Sequence, residues 1–446
     1  MVQLGRMVYS VCCIDHYAWP HNGTLFSACQ GEMAVRWEYG TTISARRMGA
    51  HKKMRFTLQG AHLVDASTDQ PHSAVTVDGS QIVAVGNGAD DPGVIIDGRD
   101  MIVMPGFIDI HTHGGGGFSL HTTDVGEIHS YARWAPTTGV TAFLVAVVGV
   151  PDSLPEPQLR TASEAIEVRK AGAEPLGIFL EGPYINVARR GAHPPNWLRM
   201  PEAAETERIL RLARGHLRLI TLAPELSGAD DLICSMVAAG VTVSIGHTDA
   251  TYEQAQAAFA LGVTHVTHCC NAMRPLQHRA PGPLGALTQY PNVYGELIAD
   301  GVHVHPAMMN VVAKILGPTR TIAITDAQAA AGMGNISFDF AGQPAWVIDG
   351  AAHLADGTLT GSVLTMDRAL RNMISMTHAS LSHASAMLTA NPAASIHCDT
   401  RKGRLRPGHD ADLVVLDHNL MLHATICNGK LEYVTSAWQA QASALM

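Results

Sequence analysis

The chain has 446 residues, 47% of them hydrophobic, and sets 30 Lys and Arg against 39 Asp and Glu for a formal net charge of −9. That length holds a barrel of the usual ~250 residues together with a smaller domain. The negative balance argues against nucleic acid or an anionic membrane as the main partner, and no apolar run approaches the ~18 residues that span a bilayer. Eight Cys in so long a chain make no disulfide framework, so a reducing, cytoplasmic setting is expected.

In chain order, the first fifty or so residues do not match the rest. They hold Cys12, Cys13, Cys29, Trp19 and Trp37, show no sustained periodicity, and end in the basic patch Arg46, Arg47, Lys52, Lys53. No continuous apolar stretch of the secretory kind precedes their polar residues. The expectation is that residues 1–53 are a disordered or non-native N-terminal extension and that Met54 lies near the functional start; the competing reading is an extension that covers a partner surface. From Met54 the text changes to FTLQGAHLVDAS and AVTVDGSQIVAVG, alternating segments separated by turn residues. The tail, DADLVVLDHNLMLHATICNGKLEYV, alternates likewise, and its Asn428-Gly429 pair predicts a tight hairpin. Residues 54–104 and 396–446 are therefore expected to form one small β-sandwich domain from both chain ends.

Between them, residues 105–395 carry eight short apolar runs: MIVMPGFIDIHTH, TAFLVAVV, PLGIFLEG, LRLITLAPE, TVSIGHT, THVTH, YGELIADG and TIAITDA. Each is too short for a typical helix and reads as a strand buried on both faces. Most intervening stretches, such as DVGEIHSYARW, PEAAETERILRLARG and DATYEQAQAAFALG, have helical spacing. The alternation predicts an α/β fold, a (β/α)8 TIM barrel. A β-type insertion near residues 336–361 interrupts the rhythm after the eighth strand and reads as a lid or rim.

Five of the eight runs end in metal-ligand residue types: His111 with His113, Glu181, His247, His268 and Asp326. One His-x-His pair is weak evidence, since roughly one is expected by chance among 24 His. The placement weighs more, because loops after the strand ends of such a barrel converge on one active face. Glu181, His247 and His268 can hold a divalent cation that makes water nucleophilic at neutral pH. Asp326 is the natural general base, although it could instead cap a helix over the AQAAAGM segment. His111 and His113 could then hold a second cation with Glu181 bridging the two. Zn, Fe, Mn and Co all accept such donors. Cys269 and Cys270 are read as buried small residues, and Arg189 and Arg190 as surface charges. Arg279, beside a Pro-Gly turn, is read as a contact for an anionic group such as phosphate.

The runs PGFIDIHTHGGGG, FLEGPYIN with RRGAH, SIGHTDAT, THCCNAM, IADGVHVHP, ITDAQAAAGM and LTGSVLTM resemble the N-acetylglucosamine-6-phosphate deacetylase family of the amidohydrolase superfamily, from roughly Phe56 to Val434. The resemblance implies hydrolysis of an N-acetyl group to give glucosamine 6-phosphate and acetate, in amino-sugar catabolism and cell-wall recycling. By position, Glu181, His247 and His268 resemble the family's metal ligands and Asp326 its acid/base. His193 resembles the residue that helps polarise the acetyl carbonyl. Ala192, Asn271, Ala272, Arg279, His303, Leu359, Thr360 and Gly361 resemble contacts to the sugar phosphate. The family also implies a homodimer in which Arg279 and His303 reach the neighbouring active site. Some members replace the first His pair and use one metal; the intact His111 and His113 admit two. N-Acetylgalactosamine-6-phosphate deacetylation and another deacylase activity of the superfamily remain alternatives. A carboxylated-lysine hydrolase is disfavoured because Lys170 and Lys314 close no strand run, and a non-catalytic binding protein because no ligand type is lost.

Overall fold

A computed structural model describes residues 54–86, 89–340 and 342–446. The expectation for residues 1–53 lies outside the described residues. Eight parallel strands follow one another around a barrel: Phe107–Asp109, Val140–Val148, Glu174–Glu181, Leu217–Leu222, Thr242–Ile245, His265–Val266, Tyr294–Ile298 and Thr321–Ile324. The first and last meet where Asp326 N donates to His111 O at 2.9 Å and Thr325 Oγ1 to Asp109 Oδ2 at 2.6 Å. Alternate residues explain why the apolar runs are continuous. Along Val140–Val148, Ala142, Leu144 and Ala146 join the cluster containing Ile108, Phe179, Leu219 and Ile324, whereas Phe143, Val145 and Val147 join the larger cluster that includes Ile128, Leu159 and Tyr131 of the helical layer. Both faces are thus dry, as parallel strands require.

The helices begin where local chemistry starts them. Asp124 accepts from Gly126 N at 2.7 Å before Val125–Trp134, and Thr251 with Gln254 forms a reciprocal capping box before Tyr252–Ala260. Such caps contribute about 0.5–2 kcal/mol each.

Strands from both chain ends form one mixed eight-stranded sheet, in which Ile102–Pro105 lies between Arg55–Val64 and Leu413–Leu416. It has its own core, including Phe56, Leu63, Val77, Leu413, Ile426 and Trp438. Asn428 and Gly429 make the two-residue hairpin turn between Cys427 and Lys430, with φ of 49° and 74°. A Cβ at Gly429 would lie 1.8 Å from Gly79 O, so no other residue fits there without moving the backbone.

The segment after the eighth strand is a four-stranded antiparallel sheet, Ser337–Phe340, Gln343–Ile348, Ala351–Leu354 and Leu359–Ser362. It is tied to the barrel rim where Ser362 N donates to Asp326 O at 2.7 Å. At the opposite end, Lys402, 2% exposed, reaches Glu174 Oε2 at 2.7 Å, Asp410 Oδ2 at 3.0 Å and Asp412 Oδ2 at 2.5 Å. Arg401 pairs with Glu174 and Asp410, and Arg169 with Glu174. Three cations thus meet three carboxylates where the barrel base joins the small sheet. Among the described residues no helix is long and apolar enough to cross a membrane.

Candidate metal centre

All five ligand-bearing strand ends converge. Glu181 is the last residue of its strand, and His111, His247, His268 and Asp326 each stand two residues past theirs. Glu181 Oε1 lies 3.1 Å from His247 Nε2, 3.3 Å from His268 Nε2 and 3.7 Å from His111 Nε2. Its Oε2 lies 3.2 Å from His113 Nε2 and 3.7 Å from His193 Nε2. Asp326 Oδ1 faces His113 Nε2 at 3.2 Å and His111 Nε2 at 3.5 Å. His247, His268 and Asp326 hold positive φ of 47°, 27° and 48°. Non-glycine residues in that region carry about 1–3 kcal/mol of strain each, which surrounding structure must hold in place and which gathers at functional sites.

The donor set fits a divalent cation. His247 Nδ1 donates to the Arg189 carbonyl at 2.9 Å, so in the neutral ring Nε2 is bare. That lone pair faces the Glu181 carboxylate and the Nε2 of His268, 3.0 Å away, the inward-facing placement that ligands of a common cation adopt. His111 Nε2 is buried with no hydrogen-bond partner. Ligands around a shared tetrahedral cation at about 2.0–2.2 Å stand on the order of 3.4 Å apart, which matches the spacings around Glu181. Two groups, His111 with His113 and Glu181, and Glu181 with His193 and His247, have the geometry to hold an ion, and Glu181 belongs to both.

Charge in this centre is strongly coupled. Burial disfavours the Glu181 carboxylate, yet His111, His113, His247 and His268 outweigh it and hold its pKa well below the ordinary value. Asp326 is likewise opposed by burial and kept ionised by His111 and His113. Burial, aided by His247, His113 and His268, pushes His193 down to about 3, so its ring is neutral.

The centre opens into a cavity of about 730 Å3. His113, Glu181, His193, His247, His268 and Asp326 line it, as do Ala192, Asn271, Ala272, His303, Leu359 and Gly361. Three residues expected at the substrate are placed as follows. His303 lines the cavity of its own chain, where Asp300 accepts its Nδ1 at 2.7 Å and its backbone N at 2.9 Å. Thr360 is fully buried and does not line the cavity, since strand alternation over Leu359–Ser362 turns it to the other face. Arg279 is exposed and lies outside this cavity. The helix that Asp326 might have capped is not formed; residues 327–335 are turns and irregular chain. Gly361 is needed there for close approach: a Cβ would come within 2.7 Å of Asp326 O. Arg189 pairs with Asp249, and Arg190 Nη1 donates to His193 O at 2.8 Å, bracing that loop. Burial raises both the Cys269 and Cys270 thiols, keeping them neutral.

Sequence reading missed several polar residues. Glu296, fully buried in the seventh strand, accepts from His111 Nδ1 at 2.8 Å, from His265 Nε2 at 3.1 Å and from His268 N at 3.1 Å. The available signal was a glutamate inside the apolar run YGELIADG, because a charge in a doubly buried strand demands partners. His121 and Trp197 form one wall of the cavity, their rings 6.1 Å apart, and Gln328 lines it beside Asp326.

Comparison with known proteins agrees with this geometry. The amidohydrolase family profile matches residues 102–436. The N-acetylglucosamine-6-phosphate deacetylase of Lysinibacillus sphaericus is 35% identical over 343 residues, 76% of this chain and 88% of that protein. The N-acetylgalactosamine-6-phosphate deacetylase of Escherichia coli O157:H7 is also 35% identical, over 74% of this chain and 87% of that protein. Among solved structures, a variant of the Mycobacterium smegmatis N-acetyl-D-glucosamine-6-phosphate deacetylase in complex with N-acetyl-D-glucosamine-6-phosphate superposes with a TM-score of 0.80 at 33% identity, covering 86% of this chain and 100% of that one. The chain belongs to the amidohydrolase family. Its barrel and its cluster of imidazoles around one glutamate are those of a metal-dependent hydrolase. Within the family it falls among the N-acetylglucosamine-6-phosphate deacetylases.

Proposed function

We propose that the protein hydrolyses the N-acetyl group of N-acetylglucosamine 6-phosphate, releasing glucosamine 6-phosphate and acetate. The observation that carries this reading is Glu181, ringed by His111, His113, His193, His247 and His268, with Asp326 beside it at the floor of the cavity. A divalent cation held by Glu181, His247 and His268, with a second at His111 and His113, supplies Lewis acidity and a water that is nucleophilic at neutral pH. Zinc, iron, manganese and cobalt all suit this donor set.

The chain's own residues then divide the work. Asp326, ionised and facing the cavity, takes the proton that water gives up at its Oδ1 and returns it to the sugar nitrogen as the amide bond breaks. His193, neutral and braced by Arg190, orients the acetyl carbonyl. Ala192, Asn271, Ala272, His303, Leu359 and Gly361 surround the sugar. No lysine or arginine among the described residues lines the cavity, so a phosphate dianion needs a cation from elsewhere. Exposed Arg279 of a second copy meets that need in a homodimer. The unpaired thiols of Cys234, Cys269, Cys270, Cys398 and Cys427 support a reducing, cytoplasmic setting.

The second reading, N-acetylgalactosamine 6-phosphate as substrate, is favoured by the equal identity to an enzyme of that name. Acetate release on metal-quantified protein, measured with both phosphorylated sugars and with unphosphorylated N-acetylglucosamine, decides between them; no release from any rejects both. Arg279→Ala is expected to raise KM for the phosphorylated sugar roughly 10- to 100-fold, the equivalent of about 1.5–3 kcal/mol for a charged hydrogen bond. An equal loss with the unphosphorylated sugar would exclude contact with phosphate.

A further inference from the structure

Glu296 touches both halves of the centre without facing the cavity. It is fully buried and takes no part in lining the substrate space. One carboxylate oxygen, Oε2, accepts from the His111 ring at 2.8 Å and from the His268 backbone N–H at 3.1 Å, while Oε1 accepts from His265 Nε2 at 3.1 Å. Its own backbone carbonyl takes Cys269 N at 2.8 Å. A carboxylate can only accept from these donors, so in the neutral, ligating form of His111 the proton is held at Nδ1 and Nε2 presents the lone pair. That Nε2 is the buried atom with no hydrogen-bond partner, 3.7 Å from Glu181 Oε1 and 3.5 Å from Asp326 Oδ1.

The two sides of the centre are not served alike. The ring of His247 is fixed by a neutral backbone carbonyl, that of Arg189. His268 Nδ1 has no partner at all. Compared with His247 and His268, His111 has its outer nitrogen on a carboxylate, which both fixes the tautomer of the neutral ring and makes the opposite nitrogen more basic; loss of such a partner commonly weakens metal affinity 10- to 100-fold.

We propose that Glu296 is a positioning residue that sets occupancy of the His111 and His113 cation site, so that it decides whether the centre holds two cations or one. This rests on the reading of the cluster as a metal centre with Glu181 common to both sites. His265 keeps Oε1 occupied, so Oε2 is left to serve His111 and the His268 loop together.

The test is equilibrium dialysis of the folded protein against graded zinc, with bound metal counted by elemental analysis, for wild type, Glu296→Gln and His111→Gln. Wild type is expected to take two equivalents per chain. In Glu296→Gln the first should bind as in wild type and the second should need roughly 10- to 100-fold more free zinc; His111→Gln should hold one. Unchanged affinity for the second equivalent in Glu296→Gln overturns the proposal, as does equal weakening of both, which is the result of a merely structural role. A single equivalent in wild type at every zinc concentration removes the two-cation reading and the proposal with it, whereas acetate release can persist in that case. Should Glu296→Gln not fold, Glu296→Asp keeps the charge, shortens its reach and is expected to show the same selective loss.

Discussion

The third barrel strand carries a carboxylate at each end, and the two live in opposite worlds. Glu174 starts it and is matched by Arg401, Lys402 and Arg169, whose charges Asp410 and Asp412 complete in a closed network. Glu181 ends it and is ringed by imidazoles whose ligating forms are neutral, with Asp326 and Glu296 adding further negative charge. At the base the opposing charges are fixed Lys, Arg and carboxylate groups; at the rim His111 and His113 counter Glu181 and Asp326, a role that a bound cation would take over. Fixed ion pairs at one end hold the small sheet to the barrel, and exchangeable imidazole partners at the other make a chemical site, which is how stability and activity divide between the two faces of such barrels.

That division can be broken in three ways. The largest effect is expected from Asp326→Asn at the rim, where kcat should fall at least ~100-fold, the contribution of a positioned acid/base, with metal content unchanged by elemental analysis; near-normal turnover would remove Asp326 from that role. Next is Lys402→Met at the base. Stripping one partner from a buried ion network costs about 3–5 kcal/mol, so the denaturant midpoint should drop, while kcat per folded molecule stays as in wild type. A matching drop in kcat would show that the two ends are not independent. The smallest effect is the acid response of the base. Burial opposes the Glu174 charge, but Arg401 and Lys402 outweigh it and lower its pKa from 4.5 to about 2. A carboxylate depressed on folding stabilises fully above its unfolded pKa and loses that contribution as pH falls toward the folded one. The stability gap between wild type and Glu174→Gln should therefore be constant above about pH 5 and narrow as pH falls from 4.5 to 2. A constant gap down to pH 2 would mean that the pairing does not stabilise the fold.

Much of the rim was legible because strand ends are visible in sequence. A run that stays apolar on both faces and then stops at His247, His268 or Asp326 announces a side chain released from packing. The helical spacing of DVGEIHSYARW and DATYEQAQAAFALG and the Asn428-Gly429 turn were legible for a similar reason: each depends on neighbours a few positions away. Thr360 and Leu359 looked equivalent until the strand's alternation separated them. His303 is held at the cavity wall by its bond to Asp300, three residues before it, a local contact that the resemblance did not supply.

Residue order alone settled which backbone segments form strands and helices and which ligand types stand where strands stop, since those depend on local periodicity and local hydrogen bonds. Only the closed barrel decided that Glu296 should hold His111, 185 positions away, and that Lys402 should find Glu174. Pairings of this kind are set by how strands neighbour one another in space, and buried charges choose partners by distance and exclusion of water, quantities that exist only once the chain has folded.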